Sequence, residues 1–163
     1  MILNRELKLA VGSDEKTVLI DSVVEELKRR GHDVTLSGPL EEEAMGWPDV
    51  GEKIGVEASS GKADQGIPFW WTGTAVTIAA NKVPGVRAAL CWDAETAKGA
   101  RIWDDAIVLA MSLRATPPAV AKEILDAWFS SDPLKTGIDA ELIERAKKLY
   151  SKYLNAQKPR KTA

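Results

Sequence analysis

The stretch Gly66 to Arg87, GIPFWWTGTAVTIAANKVPGVR, decides the fold. Ile67-Pro68-Phe69 reads as the end of a buried strand. Two tryptophans follow, then the turn Thr72-Gly73-Thr74 and a small-residue helix, Ala75 to Asn81, which Pro84-Gly85 ends. A strand, a glycine turn and a helix N-terminus in succession form a corner. The free N–H groups of its first helical turn and the helix dipole suit an oxyanion or a sugar hydroxyl. A plain β–α corner has the same sequence, so Thr-Gly-Thr alone does not choose between the two readings.

Working outward, strands and helices alternate. Leu7 to Val11 reads as a first strand, closed by Gly12-Ser13-Asp14, with Asp14 placed to cap a helix or to accept a sugar hydroxyl. Ile20, Val23, Val24 and Leu27 then recur at helical spacing as one buried stripe, with Glu25, Glu26, Lys28 and Arg29 on the solvated side and Gly31 as terminator. His32 to Leu36 is a second strand, stopped by Ser37-Gly38-Pro39. Leu40 to Pro48 is an acidic connection, and Asp49 caps a helix to about Ser60.

Asp64 to Phe69 is the third strand and Val86 to Cys91 the fourth. Asp93 caps a helix from Ala94 to about Ile102, and Ala106 to Met111 is the fifth strand. Pro117-Pro118 opens the next helix, as proline is tolerated in a first turn. Ser130 to Gly137 is a loop. A last helix from Asp139 sets Leu142, Ile143, Ala146, Leu149, Tyr150 and Tyr153 along one side.

This alternation predicts an α/β, Rossmann-like, doubly wound parallel sheet of five strands with helices on both faces and a C-terminal helix. Residues 1–163 form a single domain, with 1–6 and 157–163 as tails. Ligands of such sheets bind beyond the carboxyl ends of the strands, near a switch point. The turns there carry Asp14-Glu15, Trp70-Trp71-Thr72, Trp92-Asp93 and Arg114.

Composition excludes several classes. A net charge of -2 gives no bulk attraction to nucleic acid or an acidic membrane. No apolar run approaches a membrane span, and the N-terminus lacks the pattern of a signal peptide. The single Cys91 cannot form an internal disulfide, which fits a cytoplasmic protein. The chain holds one histidine, His32, in a turn that reads as structural, so histidine-based catalysis and a histidine-rich metal site are not expected. No Walker-type loop is present and Gly12-Ser13-Asp14 does not complete a dinucleotide fingerprint, so no cofactor is expected. Cys91 reads as a buried small hydrophobe. Six tryptophans stand beside two phenylalanines. Trp47 and Trp128 read as structural; Trp70, Trp71, Trp92 and Trp103 fill core or form an aromatic wall for a flat ligand or sugar ring.

Ala79-Ala80-Asn81-Lys82-Val83-Pro84-Gly85-Val86-Arg87-Ala88-Ala89-Leu90-Cys91 resembles the signature of the type B ribose-5-phosphate isomerase family, which includes the galactose-6-phosphate isomerase subunits. Gly12-Ser13-Asp14, Gly31-His32-Asp33-Val34, Trp47-Pro48-Asp49 and Asp105-Ala106 follow in the family's order, and the resemblance spans about Lys8 to Phe129. It implies aldose–ketose isomerisation through an enediolate, with a base at carbon, a relay at oxygen and donors for the oxyanion. It also implies a homodimer or tetramer with shared sites, in which Arg114, with Trp103 and Asp104 beside it, enters the partner's pocket.

The resemblance fails at the usual chemistry. Trp70 stands at the position of the family's catalytic Cys, and Val76 at that of its alternative Glu. Glu15 and Trp92 replace histidines, and Trp103-Asp104 replaces a His-Asn pair. Asp14, Thr72, Gly73, Asn81, Lys82, Arg87 and Arg114 persist, with Arg87 and Lys82 read as structural. The candidate catalytic residues are therefore Glu15, Asp104 and Thr72, the two carboxylates as an acid–base pair. Asp14, Trp70, Trp71, Gly73, Thr74, Trp92, Asp93, Trp103 and Arg114 are the candidate binding residues, for a small sugar or polyol. Glu15 and the lack of an arginine cluster in residues 135–145 argue against a phosphorylated substrate. The alternatives are a catalytically inactive sugar-binding homologue and an enolate-type hydratase or dehydratase.

Overall fold

The structure is a computed structural model that describes residues 5–156. The tails expected at 1–6 and 157–163 lie outside these residues, apart from Arg5 and Glu6. Five strands, β1 (Lys8–Ser13), β2 (Asp33–Ser37), β3 (Gln65–Trp70), β4 (Ala88–Leu90) and β5 (Val108–Ser112), form one parallel sheet in the order β2-β1-β3-β5-β4. The chain reverses direction across the sheet between β1 and β3, which makes their carboxyl ends the switch point.

Helices cover both faces. α1 (Val18–Arg29), α4 (Ala94–Ile102) and α5 (Pro118–Phe129) pack on the face carrying Leu9, Val11, Phe69, Leu109 and Met111. α2 (Trp47–Ser59) and α3 (Thr74–Asn81) pack on Ala10, Val108 and Ala110. The alternation of Leu9, Ala10 and Val11, or of Val108, Leu109, Ala110 and Met111, is that of a strand buried on both sides. The α2–α3 contact is close because Gly51 has no side chain: a Cβ there would stand 2.4 Å from the Ala79 Cβ.

Several boundaries differ from those the sequence predicts, each for a tertiary reason. β1 does not end at Val11, because Gly12 and Ser13 stay paired with Ser37, Pro68 and Phe69. The turn moves downstream, and Thr17 rather than Asp14 caps α1, its Oγ1 accepting from the Ile20 amide at 3.4 Å. α2 starts at Trp47 with Gly46 as cap, so Asp49 lies in the first turn, where its charge still favours the helix dipole. β4 is only three residues long. It is an edge strand, and Asn81 closes it: its Oδ1 accepts from the Ala88 amide and its Nδ2 donates to the Ala88 carbonyl, both at 2.8 Å. The amide side chain acts as a one-residue neighbouring strand. Asp93 caps α4 as expected, accepting from the Thr96 amide at 2.7 Å.

The structural readings of three side chains hold. His32 Nδ1 accepts from the Leu7 amide at 3.3 Å, and its ring lies 4.7 Å from that of Phe129. Arg87 is tied to the carbonyl and carboxylate of Asp105 at 2.7 and 2.9 Å. Trp128 is fully buried, its Nε1 donating to Gln65 at 2.8 Å.

The last helix, α6 (Ile138–Ala156), is the most loosely attached element. Ile143 is buried and Lys147 pairs with Asp105 at 3.0 Å, whereas Leu142, Leu149, Tyr150 and Tyr153 are exposed.

Candidate functional site

The carboxyl ends of four strands form a shelf. The strand order places Asp14-Glu15 beside Trp70-Trp71-Thr72, then Leu113-Arg114, then Trp92-Asp93 at the edge. Backbone bonds lock the middle of it. Leu113 N donates to Trp70 O at 3.1 Å, and Arg114 N and Ser112 Oγ both donate to Trp71 O at 2.9 Å. The Arg114 guanidinium lies over the Trp71 ring.

Gly73 makes the corner possible. Its φ is +79°, and a Cβ there would stand 2.4 Å from Leu90 Cδ1 and 3.1 Å from the Met111 backbone carbon. Only glycine adopts this conformation in this space. The Gly73 amide donates to Trp70 O at 2.9 Å, which closes the turn. It is therefore committed, and the free first-turn donors begin one residue later, at Thr74. The first-turn amides of α3, from Thr74, Ala75 and Val76, point out of the helix end. Thr72 Oγ1 and Thr74 Oγ1 lie 2.7 Å apart beside it, both exposed.

On the β1 side, Asp14 Oδ1, at the end of the strand paired with β3, is a buried acceptor without a hydrogen-bond partner. Glu15 is exposed, its amide bonded to Ser13 Oγ at 3.1 Å. At the β4 edge, Asp93 stays below the usual carboxylate range chiefly through the Thr96 backbone amide, so it stays ionised. Burial pushes the Cys91 thiol up to about 12, with Asp93 and Asp104 adding to it, so Cys91 offers no thiolate at neutral pH.

The aromatic residues divide. Trp70 is half-buried and packs on Trp47, with ring centres 6.2 Å apart. Trp47 is thus a shelf neighbour that a purely structural reading misses. The signal was Trp47-Pro48 itself, a pair that opens α2 at the switch point. Trp71 and Trp92 are 49% and 61% exposed, so within one chain they border an open shelf and do not enclose a pocket.

Trp103 and Asp104 are not brought to this shelf. They follow the far end of α4 on the segment entering β5, and no hydrogen bond or ion pair among the described residues joins Asp104 to Glu15, Asp14 or Thr72. Trp103 is half-exposed, and its ring lies along the α4 turn at Gly99. Burial raises the Asp104 carboxyl above the ordinary range, the direction expected for a carboxylate losing solvent. Among the described residues no cluster of three His, Cys, Asp or Glu could hold a metal, and no helix is long and apolar enough to cross a membrane.

The Ribose/Galactose Isomerase family model matches residues 9–152. Ribose-5-P isomerase B of Listeria innocua is 34% identical over 127 residues, covering 77% of this chain and 86% of that protein. D-erythrulose-4-phosphate isomerase of Pectobacterium atrosepticum is 35% identical over 129 residues, covering 77% and 84%. The solved structure of Clostridium thermocellum ribose-5-phosphate isomerase B superposes with a TM-score of 0.82 at 34% identity, covering 90% of this chain and 99% of that one. With a five-stranded parallel sheet in the order 2-1-3-5-4 and a glycine corner at its switch point, the chain belongs to the Ribose/Galactose Isomerase family.

Proposed function

We propose that this protein is an aldose–ketose isomerase working through an enediolate, on an unphosphorylated or otherwise modified sugar. The observation that carries this is the unpartnered Asp14 Oδ1 at the end of β1, the strand paired with β3, whose following turn opens α3 on Gly73. In such a reaction a base takes the proton from the carbon beside the carbonyl, and the electron pair moves onto the carbonyl oxygen. The proton then returns to the neighbouring carbon while a hydroxyl proton is relayed. The amides of Thr74, Ala75 and Val76 and the hydroxyl of Thr72 suit the oxygen, and Asp14 Oδ1 suits a sugar hydroxyl. Glu15 and Asp104 are the acid–base pair of the proposal, Trp70, Trp71 and Trp92 the wall for the ring, and Asp93 the edge acceptor.

Because Asp104 and Trp103 stand at the far end of α4, their part in the reaction requires a second copy of the chain. The proposal therefore includes a cytoplasmic homodimer or tetramer whose sites combine Glu15 of one subunit with Asp104 and Trp103 of another, while Arg114 stays on the shelf of its own chain against Trp71. The exposed apolar side chains of α6 support this assembly.

Charge supports the unphosphorylated substrate. Asp14, Glu15 and Asp93 place acids on the shelf, and the cation there, Arg114, is stacked on Trp71. The relatives named above are named for sugar phosphates, so the deciding comparison is turnover of one sugar and its phosphate ester by wild type, Glu15→Gln and Asp104→Asn. Isomerisation of the free sugar that both variants lower at least tenfold is expected. Faster turnover of the ester overturns the substrate reading. Binding without turnover selects a non-catalytic sugar-binding protein, the reading that Trp70 and Val76 at the family's base positions favour.

A further inference from the structure

At the opposite end of the sheet a cleft of about 930 Å³ opens between the start of β2, the end of α5 and the segment after it. Arg101 lines it from α4 and is only 8% exposed. Its Nη1 donates to the Ala106 carbonyl and its guanidinium lies over the Trp128 ring at 5.3 Å. Its Nε is buried with no hydrogen-bond partner, and among the described residues no carboxylate lies within ion-pair distance of it. Asp105 is engaged by Arg87 and Lys147, and Asp132 acts on Arg101 only at longer range. A guanidinium this buried is rarely left without an anion, because taking it from water costs several kcal/mol that a carbonyl bond does not restore.

The rest of the cleft adds positive charge. Arg30 and Lys135 line it, opposed by Asp126 and Asp132. Asp126 is taken by Arg30 at 2.6 Å and by Lys122 at 3.1 Å. His32 accepts through Nδ1, so its neutral ring carries the proton on Nε2 as a further donor. Phe129 supplies an apolar wall.

We infer that this cleft binds a small oxyanion, phosphate or a phosphate monoester, on Arg101 and Lys135. With Nη1 on the Ala106 carbonyl and Nε enclosed, Nη2 is the Arg101 group left to donate to a phosphoryl oxygen, and the cleft volume admits the group the ester carries. Within its own chain the site lies at the amino-terminal end of the strands, away from the shelf. Arg101 stands two residues before Trp103, which the proposed function brings to another subunit's shelf, and the inference does not rest on that reading.

The test follows the indole N–H resonances of the six tryptophans while inorganic phosphate, ribose 5-phosphate or ribose is added to the full-length protein. Trp128 reports on the cleft, and Trp70, Trp71 and Trp92 on the shelf. Both phosphates are expected to shift Trp128 saturably, and ribose is not. Lys135→Ala should weaken this binding several-fold, and Arg101→Met at least about tenfold, the cost of a charge-assisted contact. Tighter binding of the ester than of inorganic phosphate would assign the organic group to the Phe129 wall; the reverse would assign free phosphate as the ligand. No saturable shift of Trp128 at tens of millimolar, or a shift with unchanged affinity in Lys135→Ala, overturns the inference. Should Arg101→Met fail to fold, the wild-type and Lys135→Ala titrations decide alone.

Discussion

The guanidinium of Arg114 stands 5.4 Å from the centre of the Trp71 ring, and the Arg114 amide donates to the Trp71 carbonyl at 2.9 Å. Backbone and side chain thus hold the same pair together. A double-mutant cycle of Trp71→Ala and Arg114→Ala, read by urea unfolding, should give a coupling of about 0.5–1 kcal/mol, the size of an exposed cation–π contact. Strict additivity would mean that the stack contributes nothing to stability.

Gly73→Ala should be the most damaging single-atom change on the shelf. It forces a side chain into a left-handed conformation and against Leu90 and Met111. A loss of about 2–4 kcal/mol is expected from strain and overpacking together. That corresponds to a fall in Tm of roughly 4–16 °C for a domain of this size. A variant with wild-type Tm would show that the corner adapts.

Cys91 should be silent. With its thiol pushed up to about 12 by burial, the native protein should not react with iodoacetamide near pH 8, and unfolding in urea should expose the reaction. Cys91→Ala should leave any isomerase activity within about twofold of wild type and cost about 1 kcal/mol of stability, by loss of one buried heavy atom. Rapid native labelling would contradict the buried position.

Acid stability should depend on Glu26. Its hydrogen bond to Arg29, with Arg30 also contributing, lowers it from 4.5 to about 2, and Arg30 continues to Asp126 on α5. A depressed carboxylate contributes stability that is fully present above its unfolded pKa. That stability is lost as pH falls from about 4.5 towards about 2. Glu26→Gln should therefore flatten the decline in unfolding free energy over this window. An unchanged slope would place the acid sensitivity elsewhere.

Much of the fold is legible in the sequence because it is local. The stripe of α1, the stop at Gly31, the Asp93 cap and the order of strands and helices need only neighbouring residues. Where the reading goes astray, distant residues decide. Asp14 loses its cap role because Gly12 and Ser13 remain paired to β2 and β3. The free edge of β4 is covered by Asn81, a side chain from a preceding helix, and not by another strand. Of the candidate site, the four strand-end turns are found together, as the topology requires. Trp103 and Asp104 are not: they lie at the other end of the sheet, so their expected place in a partner's pocket is a matter of assembly that one chain does not hold. The commitment of the Gly73 amide to Trp70 is visible only once the turn is built.

The attachment of α6 has a mechanical meaning. Its nineteen residues make a rod of about 28 Å, docked by Ile143 and by the Lys147–Asp105 pair. Asp105 is itself clamped to Arg87 at the entrance of β4, so the rod is pinned to the sheet edge through one carboxylate. About 13 Å of helix extends past Lys147, and a tilt of about 10° there carries the tip through roughly 2 Å. The aromatic rings of Tyr150 and Tyr153 ride on that lever. A change in the partnership of Asp105 would thereby become a displacement on the scale of an atomic contact at the tip of α6, far from the sheet edge that holds the pair.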